Sequence, residues 1–466
     1  MLLIFPFAYL LSFFLSLRGL WQKKTNAIFI YVIAGLPIYN TALSIVYGYK
    51  LKSWIPVLQS CKELLIVVAL IVAIWNYRKK LIPHRLDYWI LAFLAYTALY
   101  VLLPIGKYDL LQKLVALKSL SFFTIIYFVG RLLDISNFSL QKILYAVGVL
   151  AFFAACLLAF EVVTYTHFQT HIGYAFFNQD YYGLDVGGHY GLSWSFEIND
   201  GLKRFASFFA NPLELAGSTL VATSLWLAVY TSASNKLEIT KTGWIIAGLT
   251  LFALLTALSR SSLAGYFILL YAYALITRKK EILYFIYALV GIGVVYLFYV
   301  LNDRNVYEYI ISTVQLSDSS SIGHVLEWLE GIQSIVTSPL GLGLGESGRV
   351  AAAVQENVGG ENQFIIVGVQ TGIISLLLYV GIYVVVVSAC YRAYKLYEGN
   401  TKKMALALFV LKLSFIFPLM TSNFDSYSYI LYLSWLLTGI FITSVGSQTL
   451  NTAHETSGSR HTGAAQ

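Results

Sequence analysis

Residues 143–165 and 282–301 each run for about 20 residues with almost no charge, long enough at 1.5 Å per residue to cross the roughly 30 Å hydrocarbon layer of a bilayer. A chain inside lipid must satisfy its own backbone hydrogen bonds, so such segments are helices or strands of a closed barrel. Barrel strands are about ten residues long and alternate in polarity, whereas these runs are continuous. With 58% hydrophobic, 16% aromatic and only 12% charged residues and a mean hydropathy of +0.71, the chain is expected to be an all-α polytopic membrane protein.

Hydropathy predicts about 13 spans, beginning near Leu2, Asn26, Ser53, Leu86, Leu110, Lys142, Arg204, Thr242, Ser259, Glu281, Glu361, Lys403 and Tyr427. Residues 1–17 lack the basic stretch and small-residue cleavage site of a signal peptide and read as a short, retained first helix. Cys61, Cys156 and Cys390 all lie in apolar runs, which argues against a disulfide framework or a cysteine metal site, and no cofactor is expected. In a membrane chain the position of each cation matters more than the net charge of +8, so no nucleic-acid partner is inferred.

Placing the clusters Arg78-Lys79-Lys80, Arg278-Lys279-Lys280 and 392–403 in the cytoplasm brings Arg18, Lys23, Lys24, Lys236 and Lys241 to the same side. Roughly 19 of the 31 Lys and Arg are then inside. The chain divides into N-terminal spans (1–165), a first outer loop (166–203), central spans (204–301), a large outer loop (302–360), C-terminal spans (361–446) and a tail (447–466) whose composition predicts disorder. Both long polar segments fall on the outer side. Each leads into an apolar run at a polar cluster costly near lipid: Lys203, Arg204 and Asn211 after the first, Glu361, Asn362 and Gln363 after the second.

Four constellations stand out. In residues 204–217 Asn211-Pro212 is expected to break the seventh span near its start, leaving Arg204 to face an anion or to snorkel. In residues 257–265 Arg260 divides two apolar segments with no acidic neighbour, so its partner is distant, Glu161 or Glu214, or is a ligand. Two guanidiniums suit a diphosphate, because their planar forks bind phosphoryl oxygens bidentately. Residues 322–336 have helical apolar spacing, an amphipathic helix with His324, Glu327 and Trp328 within a turn, followed by Pro339, Gly341, Gly343 and Gly345. The same helix reads equally as an interfacial one with its His and Glu in water. Where the chain re-enters the membrane, Asn362 suits an N-cap, and Glu361 in a partly dehydrated mouth suits a general base. Tyr181, Tyr182, Trp194 and Trp328 are candidates for stacking on sugars or for an interfacial belt.

Taken in order, Arg204 with Asn211-Pro212, Ser259-Arg260, Gly323-His324, Trp328, Pro339-Leu340-Gly341, Gly343, Gly345, and Glu361-Asn362-Gln363 before an apolar helix with Gly372 resemble the O-antigen ligase and polymerase family of bacterial inner-membrane proteins. The resemblance covers about residues 204–390. It implies a glycosyltransferase C-like fold and metal-independent transfer of a glycan from undecaprenyl diphosphate at the periplasmic face. Arg204 and Arg260 match the diphosphate-binding positions. Glu361 or His324 is the implied base, and Asn211, Glu327, Trp328, Asn362 and Gln363 are implied substrate contacts. Ligases of the family usually have His-Asn where this chain has Glu361-Asn362, and an arginine where it has His324, so the polymerase branch is favoured. That branch implies a lipid-linked repeat unit as acceptor and a chain-length regulator as a possible partner. The alternatives are a ligase passing finished polymer to a lipid A core and a transporter of lipid-linked oligosaccharide. Against the transporter, Lys62, Glu63, Lys113, Lys118 and Lys412 are few and scattered along the spans.

Overall fold

A computed structural model describes residues 2–77, 81–136, 138–183, 186–198, 201–300, 319–353 and 357–462. The cluster at 78–80 and much of the large loop lie outside these residues. The fold is helical, and its one sheet among the described residues is the hairpin of Glu197–Ile198 with Leu202–Lys203. Ten helices among the described residues are long and apolar enough to cross a membrane, from Ile4–Trp21 to Ser428–Thr449. At the three remaining predicted spans stand the helices Lys241–Ala257, Arg260–Thr277 and Lys280–Val300.

Local chemistry sets where helices start. His84 with Asp87 and Asp109 with Gln112 form reciprocal capping boxes, and the side chains of Ser139, Thr240, Ser259 and Asn362 each accept a first-turn N–H. The seventh span begins at Pro212 rather than near Arg204. Asn211 is its N-cap and Pro212 its first residue, a pair that opens a helix instead of breaking one. At the other terminus the last helix runs from Ser428 to Thr462.

The helix Leu110–Leu132 packs on the C-terminal helix through glycines. A Cβ on Gly130 would collide with the Leu436 carbonyl, and one on Gly439 with that of Tyr127. Beside this seam Arg131 is fully buried. It donates to both oxygens of Asp87 at 2.9 Å and to the Ile82 carbonyl, which satisfies a charge otherwise costly inside a bundle. The scattered membrane charges are also partnered: Lys118 meets Glu63 at 3.0 Å, and buried Lys412 lies 3.7 Å from the Trp435 ring centre.

The helix Gln363–Leu396 is discontinuous. Thr371 and Gly372 leave helical geometry, with φ +81° at Gly372, so a half-helix of residues 363–370 precedes the main span. Its freed backbone groups are met by the Pro339–Gly345 turn. Leu342 and Gly343 N–H donate to the carbonyls of Val369 and Gln370 at 2.7 and 3.1 Å, Ile373 N–H donates to Pro339 O at 2.9 Å, and Gly345 N–H donates to the Gln370 side chain at 2.9 Å. A broken helix is tolerated here because a second backbone replaces the missing turn.

Candidate functional site

Arg204 lies in an irregular stretch between the hairpin and the helix Pro212–Tyr230. Residues 205–210 of this stretch are buried. It is held from behind by Glu161, whose carboxylate accepts N–H bonds from Phe168 and Ser207, both at 2.8 Å. Ala210 N–H is likewise bound by Glu214 at 3.1 Å. The two carboxylates proposed as partners for Arg260 are therefore engaged in backbone anchoring, and neither forms an ion pair with an arginine of the site among the described residues.

The Arg204 backbone N–H donates to Phe196 O at 2.9 Å, and its side-chain Nε donates to Ala257 O at 3.2 Å. Ala257 ends one helix, Leu258 turns the chain in left-handed geometry at φ +47°, and Arg260 opens the next helix behind its N-cap Ser259. Arg260 therefore stands three residues beyond the carbonyl that holds Arg204. The Arg204 guanidinium is held down to a pKa of about 10, chiefly by burial and further by the charge of Arg260, while Tyr427 opposes the shift. Arg260 is exposed at a helix N-terminus with no acidic residue in its first turn. A cation there opposes the helix dipole, so an anion in front of it is favoured by both.

From the other side comes the start of the half-helix. Gly359 and Gly360 turn with φ +81° and +65°; Gly359 lies against Gly331, and a Cβ on Gly360 would collide with the Glu327 carboxylate. Glu327 is thus seated against the turn that carries Glu361, which is itself exposed. Asn362 is buried and caps the half-helix through Phe364 and Ile365 N–H at 3.0 and 3.3 Å, the role its position also allowed. Gln363 is 2% exposed, and its side-chain oxygen finds no donor among the described residues. It lines a cleft with Ser119, Ser347, Gln370 and Asn423.

The amphipathic helix is present at Ser319–Thr337. Trp328 packs on Ile335, Ile365 and Val369, a seam against the half-helix, rather than facing open space. Leu326, Leu329, Ile332 and Val336 remain exposed, as on a helix lying at a lipid interface. His324 belongs to this helix, but its side chain lies outside the described residues.

Tyr427 ties the two sides together, and sequence reading missed it. Burial first, and then the charges of Glu361 and Glu214, raise the pKa of its hydroxyl, while Asn211 and Arg204 act in the opposite direction. Asn211, Arg204 and Glu361, which lie up to 157 positions apart in the chain, thus all act on one phenol. The loop that carries it is pinned by Tyr379, whose hydroxyl donates to Asp425 at 2.6 Å. The only signal for Tyr427 was its place at the mouth of a span, where most tyrosines are interfacial. These residues offer two cations for an anion, an exposed carboxylate and a phenol hydroxyl.

Comparison with protein-family models gives no match, and no curated protein matches the chain significantly.

Proposed function

We propose that the protein is a bacterial inner-membrane polysaccharide polymerase of 13 spans with a glycosyltransferase C-like fold and its site open to the periplasm. It transfers a growing glycan from undecaprenyl diphosphate to a hydroxyl of a new lipid-linked repeat unit. One observation carries this reading: Arg204 Nε is bonded to the Ala257 carbonyl at the start of the turn that leads to Arg260, and no carboxylate is ion-paired to either arginine among the described residues. Two guanidiniums repel unless an anion lies between them, and a diphosphate is the anion their geometry suits.

In the transfer the acceptor oxygen attacks the anomeric carbon from the face opposite the diphosphate. The carbon–oxygen bond to phosphorus then breaks, its electron pair leaves on the diphosphate, and Glu361 takes the acceptor proton. Neutralising the charge that grows on the leaving group is the largest contribution a protein can make to such a step. Arg204 and Arg260 supply it without a metal.

The test uses the full-length protein in nanodiscs with lipid-linked repeat units from the source bacterium. Arg260→Ala is expected to abolish long polymer and to leave membrane insertion and thermal stability unchanged. A normal ladder from this variant refutes the diphosphate role.

A second reading, transport of the lipid-linked oligosaccharide, draws support from the broken helix at Thr371–Gly372, since half-helices often frame transporter sites. Movement of labelled lipid-linked sugar into sealed vesicles with no growth in glycan length selects it.

A further inference from the structure

We propose that the hairpin end of loop 166–203 is a glycan-binding platform, built by Trp194, His189, Tyr190 and Lys203, that holds the sugars attached to the diphosphate; it rests on the polymerase reading above. Of the aromatic residues expected to stack on sugars, three are committed elsewhere. Tyr181 and Tyr182 pack with Phe177 at ring distances of 5.6 and 5.2 Å, and Trp328 fills the seam of the half-helix. Trp194 alone of the four is open, with 55% of its surface exposed.

Trp194 is nonetheless held in place. Its ring meets the His189 imidazole edge to face at 5.4 Å, and Glu197 Oε1 fixes that histidine through its backbone N–H at 3.2 Å and its ring Nδ1 at 3.0 Å. Directly across the hairpin from Glu197 stands Lys203. Its ammonium lies 4.5 Å from the Tyr165 ring centre and 4.2 Å from that of Tyr190, whose hydroxyl is tied to Gly201 O. Buried His167 supports the Tyr190 ring from below at 5.4 Å.

The result is a surface that sets aromatic rings beside an imidazole and an ammonium, with the buried Glu197 carboxylate fixing the imidazole. A pyranose has the matching form, an apolar face of C–H groups and a rim of hydroxyls. Its binding needs aromatic area together with a few fixed polar groups. An interfacial anchor needs only the rings, not a carboxylate–imidazole pair to orient them. Position selects the glycan as the occupant. Arg204 follows Lys203 directly, and its N–H is bonded to Phe196, so the diphosphate-binding residue and the platform belong to one hairpin.

The test compares Trp194→Ala and Trp194→Phe in the nanodisc assay, with melting temperature as a folding control. Because a stacking contact holds the donor equally in the ground and transition states, Trp194→Ala is expected to raise the KM for the donor at least about fivefold, to leave kcat within about twofold, and to shift product to shorter chains. Trp194→Phe restores most of the KM. An unchanged KM and ladder in Trp194→Ala, with wild-type polymerisation normal, overturns the platform and leaves the polymerase reading standing. Equal loss in both variants together with a lowered melting temperature assigns Trp194 a structural role and also overturns it. Absence of polymerisation by the wild type, or a normal ladder from Arg260→Ala, removes the polymerase reading and the platform with it.

Discussion

Gly341 and Gly372 meet backbone to backbone: a Cβ on Gly341 would stand 2.6 Å from the amide nitrogen of Gly372, and φ is +82° and +81° at the two positions. Neither neighbour can yield, because both are main chain. Gly372→Ala is therefore expected to cost about 2 kcal/mol or more, read as a fall of several degrees in melting temperature. Gly248→Ala is the control. Nothing lies within 4 Å of its added methyl, and helix propensity favours alanine there by about 0.8 kcal/mol.

Glu361 stands at the rim of the site, where its charge acts on Tyr427. If it is the base, Glu361→Gln lowers kcat by about 100-fold or more with little change in donor KM, and His324→Ala leaves the rate intact. Steady-state kinetics with purified donor and acceptor lipids decide this. The reverse pattern gives His324 the proton.

His167 carries a pH dependence that belongs to the outer loop rather than to catalysis. Burial first, and Lys203 second, lower its pKa from 6.5 to about 4, so the folded loop holds the ring neutral. In the unfolded loop the ring binds a proton near pH 6.5, so the stability it contributes is present above that pH and is lost as the pH falls toward 4. The full swing is at most about 3 kcal/mol. Limited proteolysis between residues 165 and 205 should accelerate over this window in the wild type. In His167→Phe the acceleration should be absent.

Asp87→Asn leaves Arg131 buried without its carboxylate and is expected to cost about 3–5 kcal/mol of stability. Replacing both residues by methionine removes the orphaned charge and should recover most of that loss. Thermal unfolding in detergent of the single and double variants measures the coupling. Additive losses would show that the pair contributes nothing as a pair.

How much of this was legible in the chain differs from element to element. The helical membrane character, and most helix starts, follow from apolar runs and from capping residues such as Asp109, Thr240 and Ser259, which act within a turn of their own position. Asn211-Pro212 was also a local signal, but it marked a beginning and not a break.

The site itself depended on the tertiary structure. Arginines 204 and 260 stand out by residue type, yet that Arg204 reaches the turn leading to Arg260 depends on the geometry at Leu258 and on the coil anchored by Glu161. The break at Gly372 exists because a loop some 30 residues earlier replaces its hydrogen bonds, and Tyr427 matters only because of what surrounds it. Periodicity and caps are short-range properties that a sequence determines by itself. Which carboxylate is spent on an amide, and which arginine is left for an anion, is settled by competition among groups far apart in the chain, and only packing decides it.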